Sequence, residues 1–481
     1  MRFKRRSDPR PVNARALHET VVGGGYCVGC GACAGVEGSP FEIAMDDRGR
    51  LGARVRADAS LNDAPPTIGA VCPFSDASVD ETTLAERRFE DGADYSPEIG
   101  FSRAVYAGHV ADQEARARSS SGGLATWVLK KLIDTQEIDA ALNVGPRDPR
   151  ESSGRLFEFG VSTSGEDVAA TSSSRYYPVE LSQVVAHIKE NPGRYAVTAL
   201  PCFAKALRLL CASDPVLNER IRYVVGLVCG HLKSTRFAEM FAWQHGIAPD
   251  DLLAINFRKK MATGPANQYG VEVVGLVDGQ TVTSVKRNAE HFGFLWSHGL
   301  LKYQGCEYCD DVVGETADLS VGDAWLPHYV DDSAGTSVVI ARHPRLAQLI
   351  AEGRDAGELI LDDIDAETAA QSQAGGFRHR RDGLAVRLAA KKLQGKWAPK
   401  KRVRPNWRPA TLHRSIVYLM REIVSRRSHD LFAEARKAQD FDVFRKGMSK
   451  WLKVYAFVER ASPEAVARKL TKSFRRQSAA R

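Results

Sequence analysis

From about residue 103 onward, short apolar runs rich in β-branched residues alternate with segments of helical period. Residues 104–110, 138–144, 195–200 and 221–228 read as strands, and 123–133, 181–189, 203–210 and 234–245 as helices. Such alternation predicts an α/β sheet with helical cover. Residues 271–285 predict a hairpin turning at Asp278-Gly279, and 336–341 a further strand. The pattern upstream differs. Residues 21–75 are rich in glycine and cysteine, with a small hairpin expected around 41–55 at the turn Asp47-Arg48-Gly49. Residues 76–100 are acidic and read as a connector. Beyond about residue 376 the strands stop. Leu412, Ile416, Leu419, Met420 and Ile423 share one helical stripe, and Trp451, Leu452, Tyr455 and Val458 a second. Both are expected to face a core. Pro399, Pro405 and Pro409 mark a linker before them.

A chain of 481 residues has room for two to four domains. No apolar run reaches the 18 residues or so of a membrane span. The basic start, residues 1–10, is not followed by the apolar stretch of a secretion signal. The expected location is therefore the cytoplasm, where thiols stay reduced. The net charge of +8 conceals an asymmetry. Residues 377–481 hold 29 Lys and Arg against 8 Asp and Glu, whereas the rest holds 38 against 51. An acidic body thus carries a basic tail. Such a tail is expected to dock an acidic partner or an anionic membrane surface, the alternative being a helical appendage packed on its own body. Nucleic acid is not an expected partner.

The chemistry is concentrated in cysteine. Cys27-x2-Cys30-x2-Cys33 is followed far downstream by Cys72-Pro73. Three thiolates spaced by two residues on a turning backbone, closed by a remote Cys-Pro, form the ligand pattern of a [4Fe–4S] cluster. A structural zinc site would more often use two separated Cys-x2-4-Cys knuckles. Four further cysteines are placed suggestively. Cys202 and Cys229 each follow a predicted strand, and Cys306 and Cys309 form a Cys-x2-Cys pair. If the two strands are parallel neighbours, Cys202 and Cys229 meet at the strand edge where α/β proteins place ligands. Spacing alone leaves open a second metal site, a redox dithiol or buried core thiols. Cys211, beside Leu209 and Leu210, reads as a core thiol.

Ser119-Ser120-Ser121-Gly122-Gly123 precedes a predicted helix. Hydroxyls and free N–H groups at such a start suit a pyrophosphate, or serve only to cap the helix. The candidates for holding an FAD are Ser120, Ser121, Gly122 and Gly123. Arg118, Arg175, Lys205, Arg258 and Lys259 lie near these segments, and Arg175, Lys205 and Arg258 are the cations expected to serve the flavin or its phosphates. The chain contains neither a Gly-x-Gly-x-x-Gly after a strand nor a Walker A motif, which disfavours an ordinary dinucleotide fold or an ATPase. No catalytic residue is evident. His231, after Cys229-Gly230, is a weak candidate for proton transfer.

Taken in order, these motifs resemble the family of coenzyme F420 hydrogenase/dehydrogenase beta subunits. The resemblance rests on Cys27 to Cys72-Pro73, Ser120-Ser121-Gly122-Gly123, Pro201-Cys202 and Cys229-Gly230-His231. It continues through Phe257-Arg258-Lys259-Lys260, Cys306-x2-Cys309 and Gly322-Asp323-Ala324-Trp325, over roughly residues 20–345. It implies an FAD-binding α/β core with a mixed sheet, a ferredoxin-like cluster segment before it and a basic helical extension after it. The divisions expected are 1–20, a basic arm; 21–100, the cluster segment and connector; 101–190 and 191–375, the two α/β regions; and 376–481, the tail. The resemblance also implies a second [4Fe–4S] cluster on Cys202, Cys229, Cys306 and Cys309. Tyr303-Gln304-Gly305 before the Cys-x2-Cys and the whole tail depart from the family pattern.

The function expected is an iron–sulfur flavoprotein oxidoreductase that passes electrons between clusters and FAD to reduce or oxidise an organic substrate, with coenzyme F420 as a candidate. Its partner would be a ferredoxin or a component of a dehydrogenase or hydrogenase. Two rivals remain: an electron-transfer subunit of a larger complex, and a polysaccharide-biosynthesis protein with a non-catalytic metal site.

Overall fold

The computed structural model describes residues 11–152 and 154–460. The first ten residues of the basic arm and residues 461–481 of the tail lie outside the described residues. The cysteine-rich N-terminal segment carries the expected hairpin, β1 (Phe41–Met45) against β2 (Leu51–Val55), closed by Gly49 at φ 69°. That left-handed conformation costs glycine little. The connector is more ordered than its acidity suggests. It contains a helix, Glu81–Phe89, whose N-cap Asp80 accepts a hydrogen bond from the Thr83 N–H. A short hairpin follows, β3 (Asp94–Ser96) against β4 (Gly100–Ser102). Ala85, Phe89 and Phe101 form a small buried cluster there, too sparse in sequence to read as a period.

Beyond it lie β5 (Ala104–Val110), β6 (Ala140–Pro146), β7 (Phe157–Ser162), β8 (Tyr195–Ala199) and β9 (Ile221–Leu227). Strands β10 (Leu252–Lys259), β11 (Gly270–Val277) and β12 (Gln280–Arg287) make a separate antiparallel sheet, its hairpin turning through Asp278 and Gly279 as expected. Strands β13 (Leu319–Asp323), β14 (Ser337–Ala341) and β15 (Leu359–Asp363) return to the main sheet. Its order is β15-β5-β14-β13-β9-β8-β6-β7. The central four, β13, β9, β8 and β6, are parallel, and the flanking pairings are antiparallel. The mixed α/β architecture is thus as anticipated, although β7, β10, β13 and β15 were not.

The sheet is covered on both faces. Val197 and Val224 point into one apolar cluster with the helices Ser182–Glu190 and Pro201–Ser213. Their neighbours Ala196 and Val225 point into another, with the helix Leu124–Asp134 and Leu346, Leu349 and Ile350 of the helix Pro344–Asp355. This is the two-residue alternation of a strand buried on both sides.

The basic extension is a covering layer of the body. The helices Ala374–Arg380 and Asp382–Leu393 lead to an irregular stretch, 395–411, and then to Leu412–Ala438 and Phe441–Arg460. Phe432, Phe444, Met448 and Tyr455 share one buried cluster with Phe237 and Phe241 of the helix Arg236–Gln244. The second apolar stripe therefore meets a core, but the first is out of phase. Leu412 is 80% exposed and Ile416 43%, while Val417, Val424 and Phe432 are buried. Where the body lies decides which face is covered. Two serines on the covered face bond to the body: Ser428 Oγ accepts from the Leu301 N–H at 2.7 Å, and Ser425 Oγ donates to the Lys302 carbonyl at 3.1 Å.

The proline-marked stretch is a strap anchored at Pro399, Lys401 and Arg402, which are buried, while residues 404–409 are exposed. Arg402 donates to Glu315 at 2.7 and 2.8 Å and, through its backbone N–H, to Asp310 at 2.9 Å. Tyr26 donates to the Trp397 carbonyl at 2.9 Å. Among the described residues no helix is long and apolar enough to cross a membrane.

Candidate functional site

Cys27, Cys30 and Cys33 sit on a chain that doubles back at Gly29 and Gly31, at φ 65° and 83°. A Cβ would meet Leu51 O at 2.3 Å from the first and Glu180 Oε2 at 2.4 Å from the second. The turns therefore need glycine for both conformation and space. Burial pushes all four thiols of this group up, Cys72 to about 12. For two of them the next cause is the neighbouring thiols: Cys33 is raised by Cys27, Cys30 and Cys72, and Cys30 by Cys72 and Cys27. The Gly29 N–H donates to Cys27 Sγ at 3.4 Å.

The second group is gathered from three places. β8 and β9 are parallel neighbours, so Cys202, at the start of the helix after β8, and Cys229, just past β9, do meet at their C-terminal edge. Cys306 and Cys309 come from the turn around Gln304–Tyr308. That turn is pinned by Glu307, fully buried between Lys302, His379 at 2.9 Å and Arg387 at 3.4 Å. Lys302 first and then Arg387, with the His379 ring beside them, hold its carboxyl well below the usual range, against burial. The Cys202 thiol is raised by burial, then by Cys309, Cys229, Cys306 and finally Cys30. Cys30 belongs to the first group, and thiols of both groups border one buried cluster. Cys306 Sγ accepts from the Leu232 N–H at 3.2 Å. Arg380, from the extension, donates to Cys309 Sγ at 3.2 Å and to the carbonyls of Cys229 and Gly230 at 2.7 and 2.8 Å.

Among the described residues no three His, Cys, Asp or Glu side chains are grouped to hold a single metal ion. Buried thiols that repel one another and receive N–H donors suit a group that takes thiolates and carries positive charge of its own. Cys211 stands apart, buried and 3.6 Å from the Leu217 carbonyl, as a core thiol.

A cavity of about 270 Å³ opens beside these cysteines. Ser120, Ser121 and Gly123 line it, as do Ser172, Ser173, Ser174 and Arg175, and its far wall is Cys229 to Lys233. Arg175 lies 4.9 Å from the Phe157 ring, and burial lowers its guanidinium to about 10. Its Nε is buried without a partner among the described residues. Hydroxyls and an unsatisfied guanidinium N–H fit an anionic, phosphate-bearing group.

The other expected cofactor residues are placed differently. The Gly122 N–H is taken by Ser337 Oγ at 3.0 Å, and a Cβ there would meet Gly108 O at 2.4 Å, so Gly122 serves packing. Arg258 is held by Asp323 at 3.1 and 3.0 Å and donates to the Ser120 carbonyl at 3.0 Å, bracing the serine turn. Lys205 lines neither this cavity nor the next: it pairs with Glu81 at 3.2 Å, both buried. Arg118 pairs with Glu114 at 3.5 Å and Lys259 with Glu272 at 2.8 Å.

His231 stacks on Trp296, with ring centroids 4.1 Å apart at 17°. Its Nε2 is buried without a partner among the described residues. Burial, then Lys233, pushes its imidazolium well down, so the ring is neutral at neutral pH. Tyr176, Cys229, His231, Trp296 and Asp323 also face a second cavity of about 830 Å³, so this set is the wall between two chambers. Reading the sequence missed Trp296, the second serine run and every contribution of the extension. Only the serine run carried a local signal, since Ser172-Ser173-Ser174-Arg175 repeats the composition of 119–121.

Thiols gathered at a strand edge beside a polar chamber are the equipment of an oxidoreductase, and the comparisons with known proteins agree. The chain belongs to the family of coenzyme F420 hydrogenase/dehydrogenase beta subunits, whose N-terminal model matches residues 105–186 and whose C-terminal model matches residues 193–367. It is similar to a subunit of the F(420)H(2) dehydrogenase of Methanosarcina mazei, 22% identical over 320 residues that cover 63% of this chain and 76% of that protein. It is also similar to a coenzyme F420-dependent sulfite reductase of Methanocaldococcus jannaschii, 23% identical, covering 67% of this chain and 45% of that protein. A chain in a structure of the F420-reducing [NiFe] hydrogenase complex from Methanosarcina barkeri overlays with a TM-score of 0.47 at 16% identity, covering 64% of this chain and 99% of that one.

Proposed function

We propose that the protein is an iron–sulfur flavoprotein oxidoreductase. Cys27, Cys30, Cys33 and Cys72 would hold one [4Fe–4S] cluster, and Cys202, Cys229, Cys306 and Cys309 a second. The smaller chamber would receive the phosphate-bearing part of an FAD, with the serines and Arg175 as its donors. Clusters exchange single electrons and a flavin exchanges either one or two, which would let the protein couple one-electron partners to hydride chemistry on an organic substrate. The observation that carries the reading is that thiols of both groups, Cys27, Cys30, Cys33 and Cys72 with Cys202, Cys306 and Cys309, border one buried cluster, together with Cys229 standing in the chamber wall.

The chain's own residues do the rest. The backbone N–H groups of Gly29 and Leu232 and the Arg380 guanidinium stabilise thiolate. Arg258 fixes the serine turn from behind, and His231 with Trp296 separates the chambers. His231 is a neutral ring at this wall and remains a candidate for donating a hydrogen bond to whatever reacts there. Coenzyme F420, named in both curated relatives, is the candidate organic substrate. The Methanosarcina mazei relative is named as one component of a dehydrogenase, which supports a redox partner protein in a complex.

Anaerobic reconstitution with iron and sulfide tests the reading. About eight irons per chain, the content of two four-iron clusters, are expected by analysis, with matching EPR signals and one FAD released on denaturation. A colourless protein carrying stoichiometric zinc would overturn it.

A further inference from the structure

The larger chamber has a charge that the family-matched residues do not supply. Its walls include Tyr269 and Trp325, whose rings lie 4.6 and 5.4 Å from the Arg258 guanidinium, Trp296, stacked on His231, and three arginines of the extension, Arg378, Arg414 and Arg421. All three lie beyond residue 367, where the family match ends. The other charged groups there are spent. Arg258 is paired with Asp323, and Lys302 with the buried Glu307. Asp323 is the only carboxylate among the lining residues.

The extension's arginines are less committed. Among the described residues Arg378 and Arg414 make no ion pair within 4 Å. Arg414 lies 5.1 Å from the Tyr418 ring, and Asp382 is a more distant charge neighbour of both. Arg421 donates to the Tyr455 hydroxyl at 2.9 Å and reaches Glu459 only at 3.6 Å. A concave site of about 830 Å³ with cations of one sign on its wall concentrates anions of small-molecule size.

We propose that this chamber admits an organic anion of small-molecule size, bearing carboxylate or phosphate, and that Arg378, Arg414 and Arg421 select it by charge. The extension would then be a specificity element rather than an arm. Naming that anion the redox substrate rests on the proposed function; the charge selection itself does not.

The test uses the full-length, reconstituted protein and two probes of one shape, 2-naphthoate and its neutral amide, 2-naphthamide, in equilibrium dialysis. The acid is expected to bind at least tenfold more tightly than the amide, with an advantage that shrinks as salt is raised. The triple variant Arg378→Gln, Arg414→Gln, Arg421→Gln should reduce acid binding to the level of the amide without changing amide binding or iron content. If the triple variant does not fold, Arg378→Gln and Arg414→Gln separately should each weaken the acid about threefold. Equal binding of acid and amide, no binding of the acid, or indifference to the arginines would overturn the proposal. Flavin released from the same sample separates the two readings. Charge-selective binding by a protein that retains no flavin defeats the redox reading and leaves the chamber's selectivity standing. A flavin-loaded protein that ignores charge does the reverse.

Discussion

The two cysteine groups contain four thiols each and differ in how they are held. In the first, three come from one short run whose glycine turns aim the sulfurs together, and the cations acting on it are Arg50 on Cys27 and Lys401 on Cys72. In the second, Cys202, Cys229 and the Cys306–Cys309 turn are separate in sequence and meet only through the sheet. There a buried guanidinium, Arg380, bonds directly to a sulfur. A cluster's potential follows its charge, its sulfur hydrogen bonds and its exposure. Equal ligands therefore do not mean equal potentials: the second group should be the easier to reduce.

The largest effects come from removing a ligand. Cys33→Ala and Cys306→Ala should each abolish one EPR signal and about half of the iron, leaving the other signal in place; loss of both signals from either change would mean that the groups do not assemble independently. Next is the strap that ties the second group to the body. Arg402→Met strands Glu315 in a buried site, whereas Asp310 keeps the backbone N–H and Lys401, and chemical unfolding should report a loss of about 3–5 kcal/mol, the usual cost of breaking a buried ion pair from one side.

Smaller and more pointed is Arg380→Met. A redox titration followed by EPR should show the second cluster's potential falling by about 60 mV, the one-electron equivalent of a tenfold change, while the first stays put. The smallest effect is expected from Lys401→Met. Its ammonium favours the thiolates of both Cys72 and Cys309, so both potentials should drift down together by less than the Arg380 shift. A shift confined to one cluster would remove Lys401 from the comparison.

Much of the first group was legible, because its ligands lie in one run and a local turn suffices to aim them. The parallel strands β8 and β9 were legible from their apolar runs, and with them the meeting of Cys202 and Cys229. The hairpins announced themselves through Asp47-Arg48-Gly49 and Asp278-Gly279. Strand β13 did not: Leu319-Ser320-Val321-Gly322-Asp323 is short and broken by polar residues, yet fully inside the sheet because Ser320 Oγ bonds to the Gly314 carbonyl and receives Arg342 Nη1 at 2.8 Å. Edge strand β15 carries two aspartates, and β10 ends on charge.

The residues expected to serve a cofactor divided the same way. Ser120, Ser121 and Gly123 face the chamber, but Lys205 was drawn off by Glu81, Gly122 by Ser337 and Arg258 by Asp323, partners far away in sequence. For the extension, docking a partner or membrane surface and packing on the body both stood open, because composition counts charge without saying where it is neutralised. Its Arg380, Arg387 and Arg402 are buried.

By itself the sequence determined the thiols and their spacing in the first cysteine run and the alternation that builds the sheet, all properties of neighbouring residues. Which cations face which sulfurs, which helix face is covered and which chamber the extension closes were decided only by the tertiary structure. Those outcomes depend on pairs of groups tens to hundreds of residues apart, and the energy of a buried charge is set by its partner rather than by its place in the chain.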